Sequence, residues 1–312
     1  VHKSKALFVC FVYALLDARR EFLKMAEISA SMVMKLRKMS GQGMMDCKKA
    51  LAEANGDVEK AIDILRKKGL ATLAKRAERE TSEGVVVSKR RKDGKAAAMA
   101  TLCCETDFVA RSADFVAAAE TLADYALACP ADEGVENVLG TSVGGKKFSD
   151  IVAEIASKTG EKIQVGDFAK YKLDGSGLIS IYIHFNSKVG TMVQIETGDE
   201  QAATAESLKQ TAADIAMHIT ATKPLALDKD GVSAETIERE KAIFAEQIKN
   251  KPANIIDKII EGKMKKFFAE NCLVEQQFVK DDSKTVAQVL DEAAKQSGGA
   301  AKIKRFVRFE IG

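Results

Sequence analysis

Few stretches of this 312-residue chain combine residue types that could do chemistry, and most of them fail on spacing. Gly140-Thr141-Ser142-Val143-Gly144-Gly145-Lys146-Lys147 approaches a phosphate-binding loop, but Lys147 stands where a metal-ligating hydroxyl belongs, and no β-rich strand precedes it. Cys103 and Cys104 are adjacent, so on a strand they point to opposite faces and cannot act as a redox dithiol; burial as small apolar residues is expected. His184 closes a strand pattern, Leu178 to Ile183, with no serine or cysteine nucleophile constellation around it. The three histidines are far apart in sequence, which argues against a histidine metal site. Lys89 to Lys92 could touch phosphates, although a solvated hairpin tip is the plainer reading.

What remains is Glu105-Thr106-Asp107-Phe108-Val109-Ala110-Arg111. A threonine–aspartate pair between a strand and a helix is ordinarily a turn and cap. Phe108 beside the acid is the odd member. It must either fold back into the core or be presented to a partner, and from the residues alone folding back is favoured, because buried aromatics are the usual case.

The elements that must position this stretch follow from periodicity. Ala96 to Leu102 reads as a strand, and Phe115, Val116, Ala119, Leu122, Ala123 and Ala126 then follow helical spacing. Upstream, residues 25–69 predict three short helices: one ending at Ser40-Gly41, a second closed by Asn55-Gly56, and a third capped by Asp57 and closed by Gly69. Residues 70–83 are polar and predict a helical linker. Val85 to Val87, a charged turn at Asp93-Gly94 and the strand after it predict a hairpin. Beyond Cys129-Pro130 come a glycine-rich loop, a helix around Ile151 to Ser157 and a strand from Ile163 to Leu173.

That series recurs. Lys95 to Leu102 can be laid on Lys188 to Ile195, Ala123 to Leu127 on Ala213 to Met217, and Lys170 to Leu173 on Arg308 to Ile311. The expectation is an α+β fold with two related core subdomains, 84–175 and 176–312, each an antiparallel sheet covered by helices. An antiparallel helical hairpin of coiled-coil type is inserted at about 232–268: Ser233 caps its first helix, and Pro252 opens the second, with Ile255, Ile256, Ile259, Ile260, Met264 and Phe267. Residues 1–24 differ from the rest. Lys3 and Lys5 precede an apolar run too short to span a bilayer, and no small-residue cleavage site follows. They are expected to be a non-native leader, with Met25 the true start.

The bulk numbers narrow the function classes. Lys plus Arg total 48 and Asp plus Glu 45, so the net charge of +3 argues against a dedicated nucleic-acid binder. Six cysteines without a regular framework suit reduced thiols in a cytoplasmic protein.

With these residues in view the chain resembles the bacterial-type translation elongation factor Ts family. The N-terminal signature is carried by Leu36, Arg37, Gly41, Gly43, Met44, Met45, Asp46, Cys47 and Lys48; the second by Glu105 to Ala110; the end of the helical hairpin by Glu261 to Phe267. The resemblance implies a UBA-like N-terminal domain and an exchange factor without covalent chemistry. That factor would bind elongation factor Tu, GDP-bound and nucleotide-free, with no cofactor, metal, membrane or direct nucleic-acid partner. It further implies that Asp107 and Phe108, flanked by Thr106 and Val109, insert near the partner's magnesium site, against the folded-back reading of Phe108. Arg37, Met44, Met45 and Lys48 would touch its nucleotide domain, and His184 and Val279 its other end. Cys103 or its neighbour departs from the family's frequent asparagine, and after Phe306 to Gly312 the family usually continues into a helical segment, which implies reduced affinity here. The alternatives are an RNA-binding translation factor using Lys89 to Lys92 and Lys263 to Lys266, and a phosphate-binding enzyme built on Gly144-Gly145-Lys146.

Overall fold

The structure, a computed structural model, describes residues 28–248 and 253–312. The expected leader and the break at Pro252 lie outside the described residues, as does the side chain of Ile255. The chain begins with helices α1 (Ala30–Ser40), α2 (Met44–Glu53) and α3 (Val58–Lys75), then strands β1 (Glu83–Arg90) and β2 (Ala96–Cys104). Next come α4 (Asp107–Ala110), α5 (Ala113–Ala128), α6 (Val135–Gly140), β3 (Ser142–Val143), β4 (Lys146–Lys147), α7 (Phe148–Thr159) and β5 (Gln164–Lys172). The remainder is β6 (Gly177–Ile183), β7 (Val189–Thr197), α8 (Glu200–Thr204), α9 (Glu206–Thr222), α10 (Ala234–Gln247), α11 (Ala253–Asn271), β8 (Gln277–Phe278), β9 (Asp281–Thr285), α12 (Val286–Gln296) and β10 (Ala301–Glu310). It is an α+β protein that divides into two compact units.

The first unit holds the described residues up to Glu83, with Cys103–Ala118 and Ser142–Gln164. Its helical bundle is built by local signals. Ser29 caps α1 by accepting from the Met32 amide, and Gly41 ends it in the left-handed region at φ 65°. Asn55 and Gly56, at φ 52° and 83°, turn the chain out of α2, and Asp57 Oδ1 accepts from the Lys60 amide 3.1 Å away to start α3. Val33, Leu36, Cys47, Ala50, Leu51, Ala61 and Leu65 fill the centre. The expected stop at Gly69 is corrected: α3 runs through it to Lys75. Gly69 is there for packing, since a Cβ on it would lie 2.4 Å from the Ala153 carbonyl oxygen of α7. The glycine-rich loop is also corrected. It contains α6 and a tight hairpin in which Gly144 and Gly145, at φ 60° and 82°, make the turn from β3 to β4.

The second unit holds Gly84–Leu102, Ala119–Thr141 and the described residues from Val165 on. It contains two three-stranded sheets, ordered β1-β2-β5 and β10-β7-β6. β2 is central and buried along its whole length, which explains its alanine-rich, unalternating sequence. β7 pairs antiparallel with β6 and with β10, from Ala301↔Thr197 to Glu310↔Val189, with a bulge at Lys304. Helices α9 and α12 cover this sheet through Leu208, Ile215, Ile219, Val286 and Leu290 packed on Val193, Ile195 and Ile303. Gly190 admits close approach, because a Cβ there would sit 2.6 Å from Val86 and 2.9 Å from Met99. Helices α10 and α11 run antiparallel. Ile237 near the start of one shares a cluster with Phe267 and Phe268 near the end of the other, and Lys263 Nζ lies 5.0 Å from the Phe244 ring centroid.

Candidate partner-contact site

The tip that carries Asp107 and Phe108 is a four-residue helix held from behind. Thr106 is its N-cap, in extended conformation, and its Oγ1 accepts from the Val109 amide at 3.4 Å. The same hydroxyl donates to Glu161 Oε1 at 2.6 Å, while Glu161 Oε2 accepts from the Glu105 and Thr106 amides, both at 3.1 Å. One carboxylate therefore gathers three donors of the tip. Glu105 is gripped in turn by Arg79 at 2.8 Å, by Arg76 at 3.3 Å and by the Lys162 amide at 2.5 Å. Burial works against its charge, but the Lys162 amide, Arg79 and Arg76 outweigh that and hold its carboxyl below the ordinary range.

Ala110 is the buried residue of this short helix, and Phe108, two positions earlier, projects the other way. Phe108 is 84% exposed, which corrects the folded-back reading of the bare residues. Asp107 is half-exposed and pairs with Arg111 at 3.3 Å, and Thr106 and Val109 are half-buried at the base. Cys104, just upstream, is buried; burial and then the Glu161 charge push its thiol up to about 12, so it is no nucleophile.

In the same unit the helical bundle presents Arg37 on α1 and Met44, Met45 and Lys48 on α2. Cys47, Ala50 and Leu51 take the inward face of α2, leaving both methionines exposed and Lys48 half-buried. Exposed methionine is an adaptable contact surface. His184 and Val279 belong to the second unit. His184 is half-buried, its Nδ1 3.1 Å from Tyr182 Oη. Val279 is exposed, and its backbone is held from inside: its amide donates to Nδ1 of buried His218 at 3.2 Å, while His218 Nε2 faces Gln276 Oε1 at 3.0 Å.

Burial lowers the pKa of His218, against a smaller opposing effect of Gln276. The folded state then binds its proton more weakly than the unfolded chain does. The stability His218 contributes is complete above the unfolded value of about 6.5 and is lost as pH falls below it. Urea midpoints measured from pH 7.5 to 5.5 are expected to fall for the native chain, and this slope is expected to be smaller in His218→Gln.

Glu161 holds the tip in a way that the sequence did not mark, because nothing local ties position 161 to position 105. Glu161→Ala is expected to cost about 2 kcal/mol, the order of magnitude for charged hydrogen bonds lost at a partly buried carboxylate. It should also impair whatever the tip does, while altering no exposed contact residue. Glu161→Gln, which keeps one carbonyl oxygen, is expected to lose less. Thermal unfolding of both variants beside the native chain checks the order.

The near-miss phosphate loop is occupied otherwise, since Lys146 pairs with Glu154 at 2.8 Å beside the hairpin turn. The basic runs are interleaved with acids: Lys89 pairs with Asp124, Arg91 with Asp93 and Lys266 with Glu270. Among the described residues no helix is long and apolar enough to cross a membrane, and no group of three acidic, histidine or cysteine side chains could hold a metal.

An aromatic ring held out from a clamped turn has the form of an interface anchor. Comparison with known proteins makes the class specific. The family model described as Elongation factor TS matches residues 105–312. An elongation factor Ts of Nitratiruptor is 46% identical over 91% of this chain and 93% of its own length. The elongation factors Ts of Alkalilimnicola ehrlichii and Chlorobium phaeobacteroides are each 42% identical, over 91% and 92% of this chain and 92% and 100% of theirs. The chain belongs to the elongation factor Ts family of translation elongation factors.

Proposed function

We infer that the chain is a guanine-nucleotide exchange factor for elongation factor Tu, acting in the cytoplasm without covalent chemistry. The observation that carries this reading is Phe108, exposed beside Asp107 on a tip fixed by Glu161 and Glu105. A GTPase holds its nucleotide through backbone amides, a lysine and magnesium. A rigid aromatic next to a carboxylate is suited to displacing the elements that hold such a metal. Arg37, Met44, Met45 and Lys48 would grip the nucleotide domain, and His184 and Val279 the partner's other end.

The energetics are those of linkage. If the factor binds best to the partner lacking nucleotide, nucleotide affinity must fall in the complex by the same factor. Exchange then needs a transient ternary complex, so the bound factor must remain displaceable by nucleotide.

The domain organisation we infer is an N-terminal three-helix, UBA-like domain whose last helix continues to Lys75, a linker from there to residue 83, and two related core subdomains. In both sheets, hairpin strands are joined by a strand from later in the chain, β1-β2-β5 beside β6-β7-β10, which favours that relation. The acids paired with Lys89, Arg91 and Lys266 weigh against the RNA-binding reading.

The test is release of a fluorescent GDP from elongation factor Tu with and without the chain. Acceleration at substoichiometric amounts is expected. Binding without acceleration would remove the exchange assignment while leaving a partner protein.

A further inference from the structure

Sulfur is distributed unevenly over this chain. Among the described residues the exposed methionines are Met34, Met39, Met44 and Met45, each 45–63% exposed and all in the helical bundle of the first unit. Met99, Met192 and Met264 are buried elsewhere, and Met32 and Met217 are half-buried. The five described cysteines are buried, and burial pushes the thiols of Cys104 and Cys272 up to about 12 and about 11.

A two-electron oxidant attacks either a thiolate or an accessible thioether. Thiols that are buried and protonated offer neither. A thioether has no proton to lose, so its reactivity follows exposure. The oxidisable sulfur of the described chain is therefore concentrated between Met34 and Met45.

Within that group Met44 and Met45 are adjacent and open α2, directly after its N-cap Gly43. The inward face of the helix is made by Cys47, Ala50 and Leu51, so neither methionine belongs to the bundle's core. A sulfoxide at either position puts a strongly polar oxygen on a surface that the exchange reading needs apolar and adaptable, and it disturbs no internal packing.

We propose that the Met44–Met45 pair is an oxidation switch: hydroperoxides convert its thioethers to sulfoxides, and the oxidised bundle binds the GTPase more weakly. The proposal rests on the exchange-factor reading. With hydrogen peroxide the thioether sulfur attacks one peroxide oxygen. An S–O bond forms, the O–O bond breaks, and sulfur gives up two electrons. The departing hydroxide takes the proton of the transferred oxygen and leaves as water. Reversal requires a reductase that draws on a dithiol, which becomes a disulfide while the sulfoxide oxygen leaves as water. The buried thiols of this chain do not serve that step, so the reductant comes from outside.

The experiment treats the full chain with hydrogen peroxide, removes the peroxide with catalase, and measures the dissociation constant for untreated, nucleotide-free elongation factor Tu. Peptide mass spectrometry locates the added oxygen. It is expected on the four exposed methionines before Met99, Met192, Met264 or any described cysteine. Affinity should weaken by about 10-fold, the usual order for a polar group left unsatisfied at a contact, with the unfolding temperature unchanged. Methionine sulfoxide reductase with a dithiol should restore it. Each variant is compared with its own untreated form. Met44→Leu/Met45→Leu should show no loss on oxidation, and Met34→Leu/Met39→Leu should show the full loss. Unchanged affinity with Met44 and Met45 oxidised would overturn the proposal and leave the exchange reading intact. A loss that persists in Met44→Leu/Met45→Leu would also overturn it. If the untreated chain neither binds nor accelerates release, the exchange reading fails and the switch fails with it.

Discussion

Phe108→Ala is expected to abolish most of the acceleration of GDP release while leaving the protein as stable as before. The side chain is 84% exposed, so its removal opens no cavity, and surface substitutions of this kind change stability by about 0.5 kcal/mol or less. An anchor truncated at an interface typically loses about 2–4 kcal/mol, which is roughly 30- to 1000-fold in binding or in a rate that depends on it. Phe108→Leu, which keeps apolar bulk without the flat ring, should fall between. Combining Phe108→Ala with Glu161→Ala should cost less exchange activity than the sum of the two, because both act through one tip. Stopped-flow release of labelled GDP, with thermal unfolding as the control, reads both quantities. Native-like exchange by Phe108→Ala would show that the exposed ring is not what drives nucleotide release.

The second large effect is structural. Gly69 lies within helix α3, where helix propensity alone makes Gly69→Ala stabilising by about 1 kcal/mol. Packing reverses the sign. The new Cβ would be 2.4 Å from the carbonyl oxygen of Ala153, 3.0 Å from its carbon and 3.3 Å from Ser157 Cβ. The obstacle is the backbone of α7, so no rotamer change relieves it and the helices must separate. Overpacking of a fitted contact costs about 1–3 kcal/mol or more, and separation also loosens Gln42. That side chain is buried and bridges α7 through the Glu154 carbonyl at 3.2 Å and the Ser157 hydroxyl at 3.0 Å. The expected net is a loss of about 2 kcal/mol or more, measured by denaturant unfolding with a probe in the first unit. A gain in stability would mean that α3 and α7 do not close on each other at Gly69.

Gly69 also shows where sequence reading succeeds and where it stops. Signals that act on their own neighbours were legible: Gly41 and Asn55-Gly56 as helix ends, Asp57 and Ser233 as caps, Asp93-Gly94 as a turn. Each depends on a backbone conformation or a hydrogen bond reaching a few residues. A glycine kept small for a distant helix looks the same in sequence as one that ends a helix, and only the partner distinguishes them. The glycine-rich stretch after Pro130 hid a helix and a hairpin for a related reason, since glycine marks a tight turn as readily as a loop.

The tip divides in the same way. Thr106 was readable as a cap because its bond to Val109 is local. The direction of Phe108 was not, because burial is the commoner fate of phenylalanine and the position of Ala110 against the core decides otherwise. The motif resemblance pointed to exposure where residue-level reasoning did not. Neither reached Glu161, whose bonds span more than fifty positions.

The strand order of the second sheet has a consequence for how the protein is made. β7 ends at Thr197, yet its neighbour β10 begins only at Ala301, so the central strand waits for about a hundred further residues before its second edge is paired. At the usual pace of synthesis, about 5–20 residues per second, that is on the order of 5–20 s with Val193 and Ile195 lacking one side of their sheet. The first unit is finished sooner, because its last segment ends at Gln164. The tip and the bundle can therefore be complete while the second unit is still being synthesised. Between those two moments the nascent chain carries an unpaired strand edge, the kind of surface that favours aggregation.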